Sequence, residues 1–194
     1  MKRFIFGTTD LAENLLYNLK EDHQEIDGFV VEQKYKTGDS FGDYPIYCWE
    51  SFAKVYPPGD CGIYICVGYT AMNSQRRRVF DEVKKAGYTI LDYKSPRACI
   101  MTEEIGEGCL IFEQSYLGPY TRLGKGNVLY PMCVLAHHST AGDFNYFSIS
   151  ASVAGKVEIG DECFFGNNCA TKDKIKICSR VLIGAGAYVS SEVP

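Results

Sequence analysis

From Ile105 to Val189 every sixth residue is apolar, with one exception: Ile105, Ile111, Leu117, Leu123, Leu129, Leu135, Ala141, Phe147, Val153, Ile159, Phe165, Thr171, Ile177, Ile183 and Val189. Thr171 is the exception, and the fifteen frames run without an insertion. At the chain's 46% hydrophobic content, about seven apolar matches would be expected. The fifth place of each frame is mostly small, as in Cys109, Ser115, Thr121, Asn127, Cys133, Ser139 and Asn145, and the second place is Gly in seven frames. A period of six fits neither an α-helix nor a plain alternating strand. It fits short strands joined by turns at a fixed spacing, the pattern of a parallel β-helix. The first place points into a narrow core, the fifth fills the corner, and Gly stands where a Cβ would crowd the turn. Three consecutive frames make one triangular coil, so the span 105–194 predicts five coils.

The chain before this stretch alternates differently. KRFIFG (2–7) reads as a buried strand ending in Gly7. Thr8, Thr9 or Asp10 then caps a helix with an apolar stripe of Leu11, Leu15, Leu16 and Leu19. Residues 25–32, EIDGFVVE, read as a second strand. A short strand and helix follow up to Pro57-Pro58, then a strand in CGIYICVG (61–68), a helix from Asn73 to Ala86 and a strand at 88–93. Residues 1–93 therefore predict a small α/β domain with a parallel, Rossmann-like sheet, and 94–194 the coil. The turn at Gly7, Thr8, Thr9 and Asp10 faces a helix N-terminus and suits a phosphate, although a plain strand–helix turn reads the same way. Glu32, at the end of the second strand, stands where a carboxylate in such a sheet meets a ribose, or is a solvated strand end.

Composition narrows the function classes. A net charge of −4 and a pI near 5.4 argue against general binding to nucleic acid. The nine Cys are odd in number, and four fall at the inward fifth place, so they read as core residues and not a disulfide framework. No Cys/His spacing suits zinc, and no apolar run suits a membrane span. The N-terminal apolar run breaks at Gly7, which fits a strand better than a signal peptide. A soluble, cytoplasmic protein is expected.

Two of the three His are adjacent, His137-His138, inside the coil. His137 holds the third place of its frame, so its ring points outward or along a face, which by itself also fits a surface His. Gly155 holds the same place three frames later, which puts it one strand separation away on the next rung.

With its coil and a small α/β domain in front, the chain resembles the left-handed β-helix acyltransferases, among them the sialic-acid and nucleotide-sugar acetyltransferases. The likeness is densest in Leu135–Gly166, LAHHSTAGDFNYFSISASVAGKVEIGDECFFG. It implies the left hand of the coil and acetyl-CoA as co-substrate, with no metal. It also implies transfer of an acetyl group to an amine or hydroxyl of a nucleotide-linked sugar in surface-glycan biosynthesis, and a homotrimer. It makes His137 the general base and gives the Gly155 N–H to the thioester oxygen. CoA contacts fall on Tyr146, Gly155, Asn167, Ala185 and Gly186. The front domain would bind the nucleotide sugar through Gly7, Thr8, Thr9, Asp10, Glu32, Gly68 and Arg76; an exposed helix position is the other reading of Arg76. Relatives follow the base with a Glu. Here His138 stands in that place and could accept a hydrogen bond from His137, with Asp143 as an alternative partner. Relatives also carry Gly-His-Gly in the first turn, where this chain has Asp10-Leu11-Ala12. A zinc-dependent carbonic anhydrase would share the coil but needs three spaced His. A non-catalytic nucleotide-sugar-binding or scaffold protein fits the two departures.

Overall fold

The computed structural model describes the whole chain, Met1–Pro194. It contains two compact units: Met1–Gly68 with Arg78–Leu91, and Tyr69–Arg77 with Asp92–Pro194.

The first unit is built on a sheet of β1 (Lys2–Phe6), β2 (Gly28–Val31), β3 (Ser40–Phe41), β4 (Tyr44–Cys48), β5 (Cys61–Ile65) and β6 (Thr89–Ile90). Its order is β3-β4-β2-β1-β5-β6, and all pairs are parallel except β3 with β4. Phe4, Ile5 and Phe6 are all buried, as a strand covered on both faces requires. Helix α1 (Asp10–Glu21) buries Leu11, Leu15 and Leu19 on one stripe. Helix α2 (Trp49–Val55) sets Phe52 edge-on against Phe4, ring centroids 4.9 Å apart. The expected strand 25–32 is shortened to Gly28–Val31, because Asp27 turns its carboxylate to the Arg3 N–H and to Lys2.

The strand expected over 88–93 also ends early, at Ile90. Tyr93–Lys94 (β7) belongs instead to the coil, where it pairs in parallel with Leu110–Ile111. Cys99–Ile100 (β8) likewise pairs with Tyr116–Leu117. The coil therefore begins before Ile105. Ile100 faces Leu117, a separation one short of three full frames, so the corner between Ile100 and Ile105 lacks a position and the period slips there. With the bridges Ile105↔Leu123 and Ile177↔Val193, each face carries six rungs where the period predicted five coils.

Within the coil the strands are two residues long and each pairs with the strand three frames on, as in Leu117↔Leu135 and Tyr146↔Phe164. Every sixth residue from Gly108 to Gly186 has positive φ, so each corner carries one left-handed residue. Short strands, parallel pairing and these corners fit a left-handed β-helix. The inward side chains close a continuous core, in which Cys109, Cys133, Phe147 and Val153 are fully buried. Burial pushes the thiols of Cys109 and Cys133 up to about 12, so they serve as small apolar residues. Buried polar fifth places are satisfied from rung to rung: Asn145 N–H donates to Asn127 Oδ1, and Cys163 N–H to Asn145 Oδ1. Thr171 fits the core because its Oγ1 accepts the Ala154 N–H at 3.0 Å in place of a backbone carbonyl.

Candidate active site

One corner of the coil stacks residues 118–120, 136–138 and 154–156, each set on the rung after the last. His138 N–H donates to the Pro119 carbonyl and Lys156 N–H to the His137 carbonyl, both at 3.0 Å. These bonds fix the backbone of the His pair between two rungs. Both His are exposed. The His137 ring lies directly over Gly155: a Cβ on residue 155 would come within 2.7 Å of His137 Nε2 and 2.8 Å of Cε1. Any side chain there would displace the ring. The Gly155 N–H donates to no group of the chain. An imidazole nitrogen thus lies against the Cα of Gly155, whose own N–H has no acceptor in the chain, and acyl transfer needs these two kinds of group for its proton and its oxyanion.

His137 Nδ1 lies 3.1 Å from His138 Nδ1, with the rings at 88°. The pairing expected for His138 is therefore present in the geometry. Asp143 is not its rival. It sits on a different corner, after Thr140–Ala141, and its carboxylate accepts the Lys125 N–H at 3.0 Å. Tyr120, one rung before His138, stacks on it at 4.6 Å between centroids. Sequence reading passed over Tyr120, although the three-frame spacing that joins His137 to Gly155 also joins Tyr120 to His138.

Asn167, Ala185 and Gly186 come together on another corner and are exposed, with Gly186 N–H donating to the Asn167 carbonyl at 2.8 Å. Tyr146 does not join them as a free ligand contact. It is 6% exposed, stacked on Phe164 and Tyr130, and covered by Tyr69. Burial first, and then the Tyr130 hydroxyl, push its phenol well above the ordinary range. Both alternatives for Arg76, diphosphate ligand and exposed helix residue, are corrected too. It is 1% exposed and its guanidinium donates to the carbonyls of Gly126, Phe144 and Asn145.

In the first unit, Gly7 has φ +114, and a Cβ there would lie 2.5 Å from the Cys66 carbonyl oxygen. Its N–H donates to Val30, so it is committed to the sheet. Thr9 Oγ1 donates to the Cys66 carbonyl, which ties the first turn to the segment leading to Gly68. Thr9 and Asp10 are exposed, and Thr8 and Gly68 are half-buried. Glu32 pairs with Arg78 at 2.8 Å and Lys34 at 3.5 Å. Burial pushes the Glu32 carboxyl up, but Arg78 and Lys34 outweigh it and hold the carboxyl below the ordinary range. A depressed carboxylate contributes stability at neutral pH that is lost as pH falls through its lowered value. Glu32→Gln should therefore lower the urea midpoint at pH 7 and leave it unchanged in strong acid. Equal losses at both pH values would exclude the ion pair as the source.

No three His, Cys, Asp or Glu side chains are grouped to hold a metal, and no helix is long and apolar enough to cross a membrane. No protein-family model matches the chain. A stretch of 74 residues, 38% of this chain, is 30% identical to an acyl-[acyl-carrier-protein]–UDP-N-acetylglucosamine O-acyltransferase of Thiobacillus denitrificans. It spans 29% of that curated relative. Three solved structures resemble the whole chain. The acetyltransferase domain of PglB from Neisseria gonorrhoeae, in complex with acetyl coenzyme A, has a TM-score of 0.88 at 19% identity, covering 100% of this chain and 92% of that one. PerB from Caulobacter crescentus, in complex with CoA and GDP-perosamine, has a TM-score of 0.88 at 16% identity, covering 100% and 91%. WeeI from Acinetobacter baumannii has a TM-score of 0.71 at 21% identity, covering 100% and 93%. The fold of this chain is that of the hexapeptide-repeat acetyltransferases.

Proposed function

We propose that this chain transfers an acetyl group from acetyl-CoA to an amine or hydroxyl of a nucleotide-linked sugar. The observation that carries the reading is His137 Nε2 standing over Gly155. The sugar nitrogen or oxygen attacks the thioester carbon while His137 Nε2 takes its proton. The Gly155 N–H donates to the oxyanion. Collapse of the tetrahedral intermediate expels the CoA thiolate, which receives the proton from His137. The products are the acetylated sugar and CoA. The likeness to structures that hold CoA and GDP-perosamine supports both substrate classes.

Asn167, Ala185 and Gly186 would meet CoA. They occupy a different corner of the coil from His137, which favours a homotrimer whose protomers share each groove. The nucleotide sugar would meet Thr8, Thr9, Asp10 and Gly68 outside the ends of β1 and β5, where the strand order reverses and parallel sheets bind ligands. The acidic first turn of α1, Asp10 and Glu13, disfavours a bare phosphate there and favours contact with hydroxyl or base groups. Surface-glycan biosynthesis in the cytoplasm is the setting this activity suits.

The test is release of CoA from acetyl-CoA across a panel of amino and hydroxyl nucleotide sugars. Turnover is expected for at least one, with kcat in Gly155→Ala reduced about 100-fold because the added methyl moves the base by roughly 1 Å. Calorimetric binding of a nucleotide sugar without turnover of any would make the chain a binding protein. A monomer mass by light scattering would remove the shared groove.

A further inference from the structure

We infer that Tyr120 is a positioning residue which, through His138, sets the tautomer of His137; this rests on the reading of His137 as the base. Within the single chain both imidazoles are exposed, so its own fold does not hold either ring by burial, and an unheld ring samples several rotamers. What holds the pair is a column. Tyr120, His138 and Lys156 all carry a left-handed backbone, with φ 62° at each, so their side chains leave equivalent points of successive rungs. The Tyr120 ring covers the His138 ring at 4.6 Å with a tilt of 33°. That contact fixes the plane of His138 and aims its Nδ1 at His137 Nδ1, 3.1 Å away.

The hydrogen bond between the two rings has a consequence for the chemistry. Of the two Nδ1 atoms one must donate and the other accept. If His138 donated, its neighbour would carry its own proton on Nε2, the atom above Gly155, and could take none from a substrate. The competent arrangement has His137 as the Nδ1–H tautomer and His138 as the Nε2–H tautomer. His138 then does the orienting that a carboxylate would do, without placing an anion beside the acceptor. A neutral imidazole holds its partner less firmly than a carboxylate does, since charge-assisted hydrogen bonds are roughly twice as strong. The stacked phenol ring supplies the missing constraint through its face; its hydroxyl is not required.

The experiment is nitrogen-15 NMR of histidine-labelled protein, in which three His give a spectrum that can be assigned by substitution. The wild-type chain should show His137 protonated on Nδ1 and His138 on Nε2, with His23 as the internal reference. Tyr120→Leu should give mixed tautomers at both positions and lower kcat by no more than the roughly tenfold expected when His138 itself is removed, with KM for acetyl-CoA unchanged. Tyr120→Phe, which keeps the ring, should restore both readouts. Tyr120 is 71% exposed, so its replacement should leave the coil intact. Mixed tautomers in the wild type, or a Tyr120→Leu spectrum identical to it, would overturn the inference. These spectra are read without turnover, so the inference can fail while the acetyltransferase reading stands, and the reverse.

Discussion

His137→Ala is expected to lower kcat by about 10²–10⁴-fold, the range a well-placed general base supplies, while calorimetric affinity for acetyl-CoA stays nearly unchanged. The attacking amine or hydroxyl must lose a proton as its bond to carbon forms. Nε2 of His137 is the atom placed to take it, because the ring is seated over Gly155 with no Cβ beneath it. The proposed CoA residues Asn167, Ala185 and Gly186 lie on a different corner and do not depend on the ring. His138→Ala removes the partner of Nδ1 and leaves the base, so its loss should be smaller, nearer tenfold. A larger loss in His138→Ala than in His137→Ala would reverse the two roles. No change in kcat in either would make the pair a surface feature and end the catalytic reading.

The coil was legible because its constraint is periodic. Each inward position faces the same narrow core, so Leu117, Leu135 and Val153 repeat a requirement that can be counted. The juxtaposition of His137 and Gly155 followed from that count, since three frames lead from one rung to the next. The same arithmetic failed before Ile105 because one short corner shifts the register, and counting back by six lands on Cys99 instead of Ile100, the residue that faces Leu117. It also gave no account of residues 69–77. That segment obeys no period, and its contacts run to carbonyl oxygens, which leave no mark on sequence. The resemblance alone points Arg76 at a diphosphate, through its place at a helix start, and an exposed helix Arg is the other reading. The resemblance alone likewise points Tyr146 at CoA. Both are buried, and by the same segment: Tyr69 covers the Tyr146 ring, and the Arg76 guanidinium lies 5.6 Å from its centroid.

The strongest stability effect should come from Arg76→Ala. Its guanidinium donates to Gly126 O at 3.0 Å, Phe144 O at 2.8 Å, Asn145 O at 3.1 Å and Asn73 Oδ1 at 3.0 Å. Asn73 in turn donates from Nδ2 to Cys163 O at 3.0 Å. This network holds an unfavourable backbone. Ala71, Met72 and Asn73 have φ of 52°, 51° and 64°, three left-handed residues in a row without a glycine. Each such residue costs about 1–2 kcal/mol, so the turn cannot persist on its own. Truncation at Arg76 takes this donor from the Gly126 and Phe144 carbonyls, at roughly 1–3 kcal/mol each, while Asn145 O keeps the Val128 N–H, and it leaves a cavity the size of the lost side chain. A local loss of about 3 kcal/mol is expected, equivalent to about a 100-fold rise in opening. Hydrogen exchange reads this directly. Amides of residues 69–77 should exchange about 100-fold faster in Arg76→Ala, while those of the rungs around His137 keep their protection. Arg76→Lys restores the charge but not the fork that reaches Gly126 and Phe144 together, so it should recover only a minor part. Unchanged exchange at 69–77 in Arg76→Ala would mean that other contacts hold this turn. Full recovery in Arg76→Lys would mean that charge alone, and not the geometry of the fork, is what the coil carbonyls require.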